Sequence, residues 1–138
     1  MKVRILALDY GHKRIGMAIS DPLGMTAQPL GFVPQDQKAQ EHILEAIQRY
    51  KVEALVIGYP LSLNGTPSQM AQVVERFGTS LKDKSHLPIH YWDERFTTAE
   101  SERLLVSANI QRKKRKEVRD SIAATLILQG FLDSVQSK

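Results

Sequence analysis

Three places in this sequence put a carboxylate where chemistry competes with a plain structural explanation. Asp9 follows the apolar run Val3, Ile5, Leu6, Ala7, Leu8. Asp93-Glu94 follows a second run, Ile89-His90-Tyr91-Trp92. Asp120 stands at the start of a segment whose positions Ile122, Ala123, Ala124, Leu126, Ile127, Leu128, Phe131 and Leu132 are apolar around most of a helix. Asp is disfavoured in strands and costly to bury unpaired. Each acid also has a plain reading, since Asp starts turns and is favoured near helix N-termini by about 0.3–1 kcal/mol. Carboxylates gathered at one rim repel one another and raise their own pKa values unless a cation lies between them. A hard divalent ion, Mg²⁺ or Mn²⁺, resolves that repulsion. A pair of such ions can activate water and stabilise the leaving oxygen in phosphodiester hydrolysis, with no nucleophilic side chain.

The elements around these acids decide whether they can meet. Leu6 to Asp9, a turn through Gly11-His12-Lys13, and a second run from Ile15 to Ser20 read as a β-hairpin with an acid at its rim. Pro22 and Gly24 end the second strand. Gln28 to Pro34, bounded by prolines, reads as a short edge strand. Ala39, Ile43, Ala46, Ile47 and Tyr50 recur at helical spacing across Asp36 to Tyr50, and Ala54 to Gly58 is a strand apolar on both faces.

Thr66, Pro67 and Gln69 predict a capping box opening a helix with Met70, Val73, Val74, Phe77 and Leu81 inward. A strand through Ile89 to Trp92 follows. Thr97 then caps a helix carrying Leu104, Leu105, Ala108 and Ile110, and a final helix runs from about Glu117 to Val135. This order predicts an α/β fold, a mixed five-stranded sheet with helices on both faces. If the first, fourth and fifth strands are parallel, Asp9 and Glu94 share the rim where open α/β sheets bind ligands, and Asp120 approaches from the last helix.

Composition narrows the chemistry. The 138 residues, 42% hydrophobic and 25% charged, suit one domain spanning 1–138. With no cysteine, disulfides, thiolate nucleophiles and cysteine-held zinc are excluded. No apolar run approaches the roughly 20 residues of a membrane span, and Met1 leads directly into a strand; a cytoplasmic location is expected. The whole net charge of +4 resides in Gln111 to Asp120, where six basic residues face two acidic ones. A concentrated basic loop on a neutral body suits a polyanion, most commonly nucleic acid.

Four motifs in order resemble the YqgF family, also called RuvX. They are Asp9-Tyr10-Gly11 with Arg14-Ile15-Gly16; Gly58-Tyr59-Pro60-Leu61 with Asn64-Gly65-Thr66; Asp93-Glu94-Arg95-Phe96-Thr97-Thr98; and Asp120-Ser121-Ile122-Ala123-Ala124. The resemblance implies an RNase H-like fold with the first strand central and catalytic, metal-holding acids at Asp9, Glu94 and Asp120. It implies a nuclease maturing the 5′ end of pre-16S rRNA; the family's other name, Holliday junction resolvase, comes from likeness to RuvC.

Within Asp93-Glu94, alternation along the strand favours Glu94, unless the strand ends one residue early. Lys13, Arg14, Arg95, Arg112, Lys113, Lys114 and Arg115 are candidate phosphate contacts, with an ion pair equally open to Arg95. His12 is a weaker candidate for proton transfer and Tyr59 for base stacking. Partners expected are an rRNA precursor or branched DNA, ribosomal particles, and no membrane, for a monomer or a homodimer. Two rivals differ in class. Actin-like ATPases share an acid-glycine hairpin but need two such domains. A ribosome-assembly module could keep the fold and bind without cutting.

Overall fold

The computed structural model describes residues 3–61, 64–66, 68–93 and 121–136. Its sheet has the order β3-β2-β1-β4-β5, with strands β1 (Ile5–Tyr10), β2 (Arg14–Ser20), β3 (Ala27–Pro34), β4 (Ala54–Tyr59) and β5 (Ile89–Asp93). β1 pairs antiparallel with β2 and parallel with β4, which pairs parallel with β5. The strand carrying Asp9 is therefore central. β3, the strand with prolines, is at an edge, where a missing ladder donor costs least.

Side-chain alternation sorts the sheet into two faces. Leu6 and Leu8 of β1, Ile15, Met17 and Ile19 of β2, and Leu55 and Ile57 of β4 form one buried cluster with helices α1 (Ala39–Tyr50) and α2 (Gln69–Ser85). Ala7, Ala18 and Val56 point the other way, onto Ala124, Ile127, Leu128 and Leu132 of α3 (Ile122–Gln136). Helices thus cover both faces. Among the described residues, no helix is long and apolar enough to cross a membrane.

Three local expectations need correction. The cap of α2 is Ser68, not Thr66: Asn64 Oδ1 accepts from the Thr66 amide (3.1 Å) and hydroxyl (2.7 Å), engaging Thr66 in its own turn. The Ser68 hydroxyl donates to the Pro60 carbonyl (2.7 Å), so it pins the loop after β4 and leaves the helix end without a side-chain cap. Val73 is exposed, because the buried stripe of α2 runs through Ala71, Val74, Phe77, Gly78 and Leu81, about a third of a turn away. Ala123 is exposed, whereas Ile122, Ala124, Leu126, Ile127, Leu128, Phe131 and Leu132 of the same helix are at least half-buried.

The hairpin turn between β1 and β2 is tied from outside. Gln35 donates its side-chain amide to the Gly11 carbonyl (3.0 Å) and its backbone N–H to the Lys13 carbonyl (3.0 Å). A Cβ on Gly11 would stand 2.6 Å from the Arg14 carbonyl oxygen, a backbone atom that cannot yield, so the turn requires glycine. At the other end of β2, Asp21 Oδ1 accepts from the amides of Met25 (2.7 Å) and Thr26 (3.1 Å). Those bonds favour the ionised form and hold its carboxyl below the usual Asp range.

Candidate active site

Asp9 lies near the C-terminal end of the central strand, half-buried. Alternation from Ala7 puts it on the face covered by α3. Its cross-strand partner on β2 is Gly16. On β4 the pairing with β1 runs to Leu8↔Ile57, and the next residue of each strand is Asp9 and Gly58. Both lateral neighbours of the acid on its own face therefore lack a side chain. Two further pairings, Gly16↔Phe32 and Gly58↔Trp92, extend this row to both edges of the sheet. Across the face, the row reads Phe32, Gly16, Asp9, Gly58, Trp92.

The ends of the row are aromatic. Trp92 packs edge-on against Phe131 of α3, with ring centroids 6.2 Å apart, and a Cβ on Gly130 would come 3.0–3.2 Å from the indole. Phe32 is 42% exposed, and the Arg14 guanidinium lies over its ring, 5.0 Å from the centroid. Sequence alone marks neither aromatic as functional: Trp92 stands two residues before Glu94, a spacing that places both on one face of a strand, whereas nothing local distinguishes Phe32.

Asp93 falls on the opposite face. It pairs in register with Tyr59 and alternates with Tyr91, whose hydroxyl crowds the position of a Cβ on Gly78 of α2. β5 includes Asp93. Tyr59 shares that face: its hydroxyl donates to Glu75 Oε1 (2.8 Å) and its ring meets Tyr91 edge-on at 5.5 Å. A base stacked on Tyr59 would be on the far side of the sheet from Asp9. The bond to Glu75 holds the Tyr59 proton and raises its pKa; burial does the same to Tyr91.

His12, Lys13 and Arg14 are exposed at the hairpin tip, beyond the rim that carries Asp9. Glu94, Arg95, the basic residues Arg112 to Arg115 and Asp120 lie outside the described residues. Ser121, directly after Asp120, is buried; its carbonyl accepts from the Thr125 amide (2.9 Å) and hydroxyl (2.8 Å), opening the helix that covers the Asp9 face. Among the described residues no group of three metal-ligating side chains forms. A cleft of about 520 Å³ between the loop before α1 and α2 is lined by Tyr10, Asp36, Glu41, Arg76 and Lys84. It belongs to the α1/α2 side, and its charges are mixed.

Relatives and neighbours of known structure agree on what this frame is. The family model "RuvX: Holliday junction resolvase" matches residues 3–134. A Geobacillus protein named "Putative pre-16S rRNA nuclease" is 43% identical over 97% of this chain and 100% of its own length. One of the same name from Desulforamulus reducens is 44% identical over 96% of this chain and 98% of its own. Among solved structures, T. thermophilus RuvC in complex with Holliday junction substrate superposes with a TM-score of 0.63 at 12% identity, covering 99% of this chain and 97% of that one. Fowlpox virus resolvase with junction DNA gives 0.62 at 14%, covering 96% and 99%. Sharing the RNase H-like fold with those resolvases, and sequence over nearly its whole length with the bacterial proteins, the chain belongs to the RuvX family.

Proposed function

We propose that this protein is a metal-dependent nuclease that hydrolyses phosphodiester bonds in the 5′-end maturation of pre-16S rRNA, acting as a single domain in the cytoplasm. The observation that carries the reading is the setting of Asp9. A carboxylate lies at the rim of the central strand and its neighbours on the two adjoining strands are glycines, so no side chain of those two residues competes for the space beside it. Relatives of more than 40% identity bearing the rRNA nuclease name support the substrate.

In this reading Asp9, Glu94 and Asp120 form an all-oxygen donor set that suits Mg²⁺ or Mn²⁺ and leaves positions open for phosphate oxygens. When bound, a pair of such ions supplies Lewis-acid stabilisation of the phosphate and an acidified water. Glu94 is preferred over Asp93 because Asp93 falls on the α2 face, away from Asp9, where it alternates with Tyr91. The chain's own part is to hold the carboxylates ionised and the phosphate in place. Lys13 and Arg14 contact the strand's phosphates at the hairpin tip; Arg95 and Arg112 to Arg115 extend that contact, each contact steepening the salt dependence of binding.

The test is a cleavage assay with Mn²⁺ and with Mg²⁺, offering precursor-like RNA, single-stranded RNA and a four-way DNA junction to wild type and Asp9→Asn. Metal-dependent cutting of RNA that is lost in Asp9→Asn is expected. Preferential cutting of the junction would replace the rRNA reading with resolution of branched DNA. Folded wild-type protein that binds RNA with no Asp9-dependent cleavage would make it a binding module.

A further inference from the structure

β3 changes register in its middle. Ala27, Gln28 and Pro29 pair with Ser20, Ile19 and Ala18, but Gly31 pairs with Met17, leaving Leu30 as the extra residue of a β-bulge. Gly31 takes φ +90°, a conformation other residues adopt only with strain. The bulge inverts every side chain beyond it. In an uninterrupted strand Phe32 would point into the α1/α2 core and Val33 would be exposed. Instead Val33 is buried in that core, and Phe32 stands on the face of Asp9.

This costs a large apolar side chain its place in the core, and leaves it 42% exposed on an edge strand. Arg14, also on the Asp9 face, lays its guanidinium over the ring. A phenyl ring with a guanidinium over it offers planar, cationic surfaces on which nucleobases stack. Among the described residues of the row, Gly16 alone separates Phe32 from Asp9. The separation is two strand spacings, about 10 Å, which matches the reach of one nucleotide from phosphate to base.

We propose that Phe32 and Arg14 form a stacking site for an unpaired nucleobase adjacent to the phosphate held at Asp9, so that the enzyme takes a single-stranded segment. This rests on the nuclease reading and adds to it the form of the substrate. A base still paired and stacked in a duplex cannot present its face to the ring. Selection for unpaired nucleotides follows without any hydrogen bond to a base edge.

The experiment uses a single-stranded RNA carrying one 2-aminopurine, moved base by base along the strand, and the same RNA annealed to its complement. Binding is measured in Asp9→Asn and in Asp9→Asn with Phe32→Ala or Phe32→Trp; cleavage is measured in the Phe32 variants with Asp9 intact. Quenching at one position next to the cut site is expected. Phe32→Ala should abolish that quenching and weaken single-strand binding on the order of tenfold, Phe32→Trp should retain both, and duplex affinity should not change. Cleavage that proceeds equally in wild type and Phe32→Ala, with no quenching at any position, overturns the stacking site and leaves the nuclease reading standing. Position-specific, Phe32-dependent quenching by a protein that cuts nothing upholds the stack and removes the nuclease. Equal loss of single-strand and duplex binding in Phe32→Ala and in Phe32→Trp overturns the proposal in favour of a structural role.

Discussion

The two faces of this sheet are built for different ends. Toward α1 and α2 the strands present Leu6, Leu8, Ile15, Met17, Ile19, Leu55 and Ile57, interlocked with Ile43, Val74, Phe77 and Leu81. Toward α3 they present Ala7, Ala18 and Val56, and in the row at the rim Gly16 and Gly58 flank the acid between Phe32 and Trp92. Large aliphatic side chains remove the most surface from water, so the first face carries most of the stability. Small residues let α3 pack close and keep bulky side chains of the adjoining strands away from Asp9, so the second face is the one on which the proposed chemistry falls. A single central strand serves both because its pleat separates Leu8 from Asp9.

This division can be broken first at Asp9. Asp9→Asn should reduce metal-dependent cleavage at least a hundredfold while thermal unfolding stays within a few degrees of wild type; a large fall in melting temperature would show that the acid also holds the fold. Leu55→Ala tests the opposite face. It should destabilise by about 2–5 kcal/mol in denaturant titration, yet leave cleavage per folded molecule unchanged. Gly16→Ala sharpens the boundary, since it adds a methyl group beside Asp9 with little change in the core. A loss of about tenfold in cleavage is expected from displacing groups at the rim, and full activity would mean that the glycine flank is not needed.

The smallest effect is alkaline. Tyr59 and Tyr91 on the α2 face have pKa values raised by the Glu75 bond and by burial respectively. Their protonated forms are favoured in the folded state, so this stability is fully present below the ordinary tyrosine pKa of about 10 and is lost as pH rises through the folded values. Tyr59→Phe should flatten the decline in stability above that pH. A decline as steep as wild type would assign it to other groups.

Much of this architecture is legible in the sequence because its signals are local. The hairpin, the apolar run of β4 and the prolines that put β3 at an edge each follow from a few neighbouring residues. Asp9 is legible for the same reason, as an acid where a buried strand reaches its rim. What escapes is whatever depends on register. Phe32 reads as ordinary strand filling until the Leu30–Gly31 bulge inverts it, and a glycine within a strand is only a weak sign of such a bulge. Thr66 satisfies a capping pattern that Asn64 pre-empts by two hydrogen bonds. The placement of Tyr59 away from the acid is likewise fixed by parity along β4.

One side chain joins the two ends of the chain. Gln129 accepts from the Ala27 amide (2.9 Å) and donates to the Met25 carbonyl (3.2 Å), bonds that close across more than a hundred residues. During synthesis at roughly 5–20 residues per second, the first hairpins leave the ribosome several seconds before their clasp exists. Until α3 arrives, Ala7, Ala18 and Val56 lack the packing that Ala124, Ile127, Leu128 and Leu132 supply. The face that bears Asp9 gains this helix only after all five strands and both helices of the opposite face have been made. The side of the sheet that holds the larger core is thus in place before the side that carries the acid.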